Sequence, residues 1–548
     1  MEMNHKNIDK TLLSLVYSII LLVLLFFIVF PINLKAQTII SANYYFDALN
    51  GNDANTGTSP TQAWKTATKF NNTTFPAGSV IAFRDSMTYK GYFLVDESGS
   101  SGNPIVITNW YDTTSRKFPF IEGAGATPLT NWTLHATNIW KTTVGGNQEL
   151  AVWFFTPDTV YWGKLVGNIG GLDAEYKIYY ESNTLYVYSP TNPITRYTKV
   201  LYDYGDPQSN TANCVTITGQ YITLKNLQMG FTRGKALKFM WGSDYSRAEN
   251  ITAFYNGKSN TLGVLSDGGD GIYVSASNIT VERCTSYEGA GHNFYVWGNS
   301  SGTIQNVVFD GCVGYNSHHT TGVDINSSSG NIRNVTIKNS YFYNTDEFAR
   351  TYFSLYKNDG APFIFIKGEM VGLVKNIYMY NNIFRNSIGA SIYPYANCDS
   401  VYIYNNTFVE LDTIRQNGNL WNWCIYGGTY TAGTMQVKNN IFYVGQSESN
   451  NYIVRAYSNS IIQNNVAYRL DGSNYLIYPY DPNYTAPINA NPQFVNPNGT
   501  TPQSFKLQST SPARDAGQSL SGYFTTDREG VTRPQGVAWD IGAYEYVP

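Results

Sequence analysis

Residues 268–325 read GGDGIYVSASNITVERCTSYEGAGHNFYVWGNSSGTIQNVVFDGCVGYNSHHTTGVDI. One phrase occurs three times in this run. A short apolar strand (Gly271–Val274, Phe294–Trp297, Gly322–Ile325) leads into a polar turn and then a second strand with alternating Ile or Val. Alternation at period two marks strands with one buried face. Recurrence at a fixed distance marks stacked coils rather than a closed globule.

The repeat extends in both directions. ITLKNLQM, ITVERCTS, VVFDGCVG, VTIKNSYF, IYMYNNIF, VYIYNNTF, MQVKNNIF and IIQNNVAY align on one column, which holds Asn226, Arg283, Gly311, Asn339, Asn381, Asn405, Asn439 and Asn464. From Arg283 onward the intervals are 28, 28, 42, 24, 34 and 25 residues. A coil of that size, with its surplus in one loop, predicts an all-β, three-sided parallel β-helix. A recurring Asn at a turn fits that fold, because Asn tolerates left-handed backbone and its amide can bond the Asn above and below. A sandwich or propeller would instead show hairpin signals at even spacing.

The composition agrees with this reading. The chain has 548 residues, 15% of them aromatic, with 45 Tyr and 48 Gly, and only 14% charged. Such a chain favours sheet over helix. A net charge of −3 with no basic stripe argues against a nucleic-acid partner. Five cysteines without C-x-x-C spacing argue against zinc or a disulfide framework. Cys284 and Cys312 fall at one place in successive repeats and read as stacked interior hydrophobes, with a bond between them as the alternative.

The chain divides into four parts. Residues 1–36 carry Lys6 and Lys10, an apolar run Leu12–Ile32 and Ala36 before Gln37, the pattern of a signal peptide. Cleavage there predicts a secreted or cell-surface protein with no membrane segment left, although the run is nearly long enough for a retained anchor. Residues 37–78 form an N-terminal cap, with a short helix over Ala63–Phe70. Residues 79–475 form the β-helix, interrupted at about 130–205 by antiparallel strands such as EYKIYYESNTLYVYSP. Residues 476–548 leave the repeat and read as a tail that seals the last coil, with Asp515, Asp540 and Glu545 structural.

Three features carry a family resemblance. YYFDALNGNDANTGTSPTQAWKTAT at residues 44–68 is similar to the capping segment of secreted right-handed parallel β-helix proteins of the pectin lyase-like superfamily. The Asn column resembles that superfamily's asparagine ladder. SPARDAG and DIGAYEY resemble the C-terminal tail of its secreted bacterial carbohydrate-active members. The resemblance implies a right-handed helix that acts on a polysaccharide substrate, and a monomer is expected. Gly269-Asp270-Gly271-Ile272 and Gly291-His292-Asn293 resemble parts of the polygalacturonase site, but the Asp-Asp pair of that site is missing, so its mechanism does not carry over.

Aligning the first strands (LKFMWGS, GDGIYVS, GHNFYVW, TGVDINS, FIFIKGE) places Asp270 opposite His292, with Thr321 or Asp324 one coil on. At about 4.8 Å per coil, Asp270, His292 and Asp324 share a span of roughly 10 Å. Asp267 and His318 sit in turns leading to the same face. These five are the candidate catalytic residues. His319, Lys238, Tyr295 and Trp297, with Asp346, Glu347 and Arg350 of a long loop, are candidate substrate-binding residues. Glycoside hydrolysis needs an acid and a second carboxylate, which Asp residues on adjacent coils could supply, and this reading is preferred. The alternative is a lyase using β-elimination on uronic acids, with His292, His318, Lys238 or Arg350 as base and Ca²⁺ held by Asp267, Asp270 and Asp324. A non-catalytic glycan-binding or adhesive solenoid is the third reading. No resident metal or cofactor is expected otherwise.

Overall fold

The computed structural model describes residues 39–111, 117–123, 125–145, 150–204, 212–258, 268–299, 302–347, 362–369, 372–410, 423–427, 433–445, 453–457, 459–472 and 484–548. The segment read as a signal peptide lies outside them. Among the described residues no helix is long and apolar enough to cross a membrane.

The protein is a three-sided parallel β-helix. One face is a ten-stranded parallel sheet that includes Leu237–Phe239, Ile272–Val274, His292–Gly298, Thr320–Ser327, Ile364–Gly368 and Ile392–Ala396. The other two faces meet at a corner and form one 22-stranded sheet. Strand Arg247–Asn256 crosses that corner and pairs with both Thr280–Glu282 and Thr285–Tyr287 of the next coil. Inward residues are fully buried, as at Ile272, Val274, Val281, Phe294 and Val296. Phe342, Phe384, Phe408 and Phe442 stack inside at 5.8, 4.9 and 4.9 Å. Each such aromatic pair adds about 0.5–1.5 kcal/mol beyond its burial. Outside, Tyr287, Tyr315 and Tyr343 stack at 4.7 and 4.9 Å, which accounts for part of the tyrosine richness.

The aligned column sits at the corner. Asn226, Arg283, Gly311, Asn339, Asn381, Asn405, Asn439 and Asn464 all have φ between 48° and 63°. Asn250, which the sequence alignment passes over, completes the column with φ 54° and divides the long interval between Asn226 and Arg283. Its amide donates to Asn226 Oδ1 at 2.8 Å. The fully buried ladder is the next residue along. Backbone N–H groups of Asn382, Asn406 and Asn440 donate to Oδ1 of Asn406, Asn440 and Asn465 at 2.9, 2.9 and 2.8 Å. Cys284 and Cys312 belong to this inner column; all five cysteines are buried and free, so the alternative of a bond between the two is not realised.

Both ends of the solenoid are covered. At the N-terminal end, helix Ala67–Asn71 is capped by Thr66 and buries Phe70 against Phe46, Phe75 and Phe93. The helix is shorter than the expected span, because Ala63 is extended and forms the end of a 3₁₀ turn. Between strands Phe93–Val95 and Val215–Ile217, which are neighbours in the ten-stranded sheet, the chain leaves the helix. It forms four- and five-stranded sheets between Thr127 and Tyr204, antiparallel except where Lys164–Leu165 meets Lys177–Ile178. They pack on the helix through Trp153 and Phe155 against Phe231, and through Val160 against Tyr255.

The tail does more than close the last coil. Ile488–Asn489 pairs with Val466–Ala467, but the chain then doubles back along the flank. Asn439 and Asn405 amides donate to Gln518 and Asp540 carbonyls at 2.8 and 2.9 Å. Farther back, Arg528 donates to Ser340 O at 2.7 Å and Tyr341 to Thr500 O at 2.8 Å. A fully buried Arg533–Glu545 pair at 2.9 Å pins the strap. Asp540 and Glu545 accept backbone N–H groups of Asp515 and Gln535 at 2.7 and 2.9 Å.

Candidate active site

The ten-stranded face carries a chain of charges across successive coils. Lys235 Nζ lies 3.9 Å from Asp270 Oδ2, Asp270 Oδ1 lies 2.7 Å from His292 Nδ1, and His292 Nε2 lies 3.2 Å from Asp324 Oδ2. These side chains are 9%, 1%, 3% and 1% exposed. Local sequence explains the approach. His292 N–H also donates to Asp270 Oδ1 at 3.2 Å, and a Cβ at position 291 would meet that oxygen at 2.7 Å, so Gly291 lets the carboxylate in. Asn293 turns inward, accepting from Ser286 and donating to Thr321 O at 2.7 Å. The pairing shifts register here: His292 opposes Thr320, but Phe294 opposes Val323. The 3.2 Å approach of Asp324 Oδ2 to His292 Nε2 settles the choice between Thr321 and Asp324, although the pairing sets Asp324 opposite Tyr295.

Charge follows from this geometry. Burial acts against a charged His292, but Asp324 and Asp270 outweigh it and push the imidazole up to about 10. Burial raises Asp270, yet the hydrogen bond and charge of His292, with Lys235, hold it below the usual carboxylate range. Asp270 is therefore a fixed anion and a poor proton donor. Its Oδ2, and Oδ1 of Asp324, have no hydrogen-bond partner among the described residues.

Around this chain lie the other expected residues. Tyr295 stacks on His292 at 4.2 Å, and Trp297 sits 5.7 Å from Tyr295. His319 stands edge-on to His292 at 4.4 Å, its Nδ1 3.9 Å from Asp324 Oδ2. Lys238 Nζ lies 5.6 Å from the Tyr273 ring; burial, then the charge of Lys235, pull its amine below the usual lysine range. His318 is half-buried in the corner turn, where burial and Lys164 of the inserted sheets push it down to about 4. Asp346 and Glu347 are exposed; Asp346 accepts from Asn386 at 2.6 Å on the following coil and lies 3.7 Å from Arg385, away from the charge chain among the described residues. Asp267 and Arg350 lie outside the described residues.

The sequence reading passes over two features. Glu288, on the same corner, accepts from Asn316 at 3.1 Å; burial, opposed by Asn316 and joined by the charge of Glu347, pushes it up to about 7. Its signal was an acid at the position where the next copy has Asn316. The second is a row of outward side chains in register along the sheet: Lys238, Tyr273, Tyr295, Asp324, Phe365, Tyr393 and Tyr426. His292, His319 and Asp324 also form a group whose ligand atoms all lie within 4.8 Å of one another.

The chain matches no protein-family model and no curated protein sequence. Solved structures do resemble it. XylC in complex with xylose aligns with a TM-score of 0.51 at 12% identity, over 92% of this chain and 98% of that one. Pectate lyase Pel9A aligns with a TM-score of 0.49 at 14% identity, over 93% and 98%. A rhamnogalacturonan lyase aligns with a TM-score of 0.43 at 15% identity, over 79% and 89%. At such identities the likeness to XylC shows the parallel β-helix fold.

Proposed function

We propose that the protein is an exported polysaccharide-cleaving enzyme and that it acts by β-elimination on a uronic-acid-containing chain. The observation that carries this is the outward row on the ten-stranded face. Tyr295, Phe365 and Tyr426, each half-buried, offer ring faces on which sugars stack on either side of Asp324, while Tyr273 and Tyr393 are buried in the same row. Lys238 stands at one end of the row with its amine held below the usual lysine range by burial and by Lys235, the direction that favours a proton acceptor. The carboxylates that favoured hydrolysis in the sequence reading are engaged: Asp270 is clamped and ionised, and Asp324 is buried against a cationic imidazole. That leaves Lys238, His318 and His319, each half-buried, as the partly exposed amine and imidazoles. Elimination breaks the C–H bond at C5 and the C4–O glycosidic bond, leaving a C4=C5 double bond; the base takes the C5 proton, the leaving oxygen takes a proton from water and departs as a hydroxyl, and a cation neutralises the uronate.

Hydrolysis is the second reading, and Glu288 favours it. An acid raised to about 7, in the turn that leads into the strand of His292, is a proton donor of the kind glycosidases use. Incubation with uronate and neutral polysaccharides separates the two. Elimination gives unsaturated products with strong ultraviolet absorbance, and Lys238→Ala lowers kcat by about 10²–10⁴-fold. In the wild type, kcat/KM rises with pH along a limb below the ordinary lysine range, because Lys238 must be neutral to accept the proton. New reducing ends without that absorbance, unaffected by Lys238→Ala and lost in Glu288→Gln, would establish hydrolysis instead. Export by residues 1–36 is checked by fractionating expressing cells.

A further inference from the structure

We infer that His292, His319 and Asp324 form a binding site for a divalent transition-metal ion, with Asp270 as the support for its first imidazole. The two imidazoles and the carboxylate converge from adjacent coils. His292 Nε2 and His319 Nδ1 lie 3.2 and 3.9 Å from Asp324 Oδ2. Ligand atoms around a tetrahedral Zn²⁺ stand roughly 3.3–3.5 Å apart, given bonds of about 2.0–2.2 Å. Small side-chain rotations would bring the three donors to that spacing.

Two further observations point to a cation. Asp324 is 1% exposed, and its Oδ1 has no hydrogen-bond partner among the described residues. A buried carboxylate oxygen is costly to leave unmatched, and a metal ion drawn in beside Oδ2, the oxygen that faces the two imidazoles, would satisfy the charge of the carboxylate. In addition, His292 directs Nε2 into the cluster while its Nδ1 lies 2.7 Å from Asp270 Oδ1. A carboxylate behind the non-ligating nitrogen is the usual support of a metal-bound histidine, fixing its tautomer and ring plane. Tyr295, stacked at 4.2 Å, fixes the other face of the same ring.

The donor set selects the ion. Two nitrogens and one carboxylate suit Zn²⁺, Mn²⁺, Fe²⁺ or Ni²⁺, whereas Ca²⁺ prefers six to eight oxygens. The site therefore differs from the all-carboxylate Ca²⁺ site that a lyase reading of Asp267, Asp270 and Asp324 would require. Asp324 lies in the aromatic row, so a bound ion would face the same groove as the sugar.

The test reads binding, not cleavage, so it does not depend on the reaction proposed above. Tag-free protein is stripped with chelator and titrated with Zn²⁺, Mn²⁺ and Ca²⁺ by calorimetry at neutral pH. The expected result is one Zn²⁺ per chain, with Ca²⁺ much weaker. His319→Ala alters a half-buried side chain and weakens Zn²⁺ by at least about tenfold, as does the isosteric Asp324→Asn. His135→Ala, exposed on the inserted sheets, leaves binding unchanged. Co²⁺ loading of the wild type gives visible d–d bands that His319→Ala alters. No stoichiometric Zn²⁺ on the wild type overturns the site, as does Zn²⁺ binding unaffected by both His319→Ala and Asp324→Asn in variants that remain folded by circular dichroism.

Discussion

Asp270 is almost wholly shielded from water, and its two oxygens are divided between His292 and Lys235. A group in that position orients its neighbour and does not touch substrate. Asp270→Asn keeps the shape and removes the charge. We expect it to lower stability by about 3 kcal/mol, since it leaves His292 and Lys235 short of an anion. Activity should fall at least tenfold in kcat with little change in KM. Chemical denaturation and steady-state kinetics on one preparation check both parts, and a change confined to KM would place Asp270 at the sugar instead. At this scale the sequence was informative about apposition and silent about state. Asp270 and His292 each begin the apolar strand of their coil, so counting coils brought them together. The register shift beside His292 and the reach of Asp324 to the same imidazole left no mark in residue type. Nor could the row of letters tell that both carboxylates would be buried, which is what moved the chemistry away from them.

The solenoid holds two asparagine ladders of different character. The inner one is buried: Asn406 Oδ1 accepts the N–H of Asn382, and its Nδ2 donates to Met379 O and Asn440 Oδ1. Asn406→Ala strands a buried N–H and a carbonyl together and should cost about 2–5 kcal/mol. An outer ladder on another edge is solvated: Asn306 donates to Asn278 and accepts from Asn334 at 2.9 and 3.2 Å, with φ 58°. Asn306→Gly retains the left-handed backbone and should change stability by less than about 0.5 kcal/mol. Equal losses at the two positions in urea melts would contradict this assignment. The period of the ladder was legible because an Asn in left-handed backbone is a local necessity. Which of two adjacent Asn faces inward was not, because both satisfy the same turn. Asn250 escaped because its rung, Arg247–Asn256, runs without the doubled Asn found farther along.

Across the whole molecule the fold was the most legible level, since a repeated coil repeats its evidence. The placement of the tail was least legible, because nothing in residues 494–546 alternates with the coils it lies against. It straps the flank from Asn439 back to Ser340. A chain lacking residues 484–548 should be cut by protease first in the coils after Tyr341, while those carrying Ile272–Val274 and His292–Gly298 stay protected. Equal resistance in both halves would mean that the strap adds nothing. The strap also imposes an order in time. Its residues follow those coils in the chain, so the coils from Ser340 to Asn439 are made before the strap that holds their outer flank. A prematurely terminated chain would carry a formed N-terminal half with an unguarded C-terminal half, and quality-control proteases could recognise it by that difference alone.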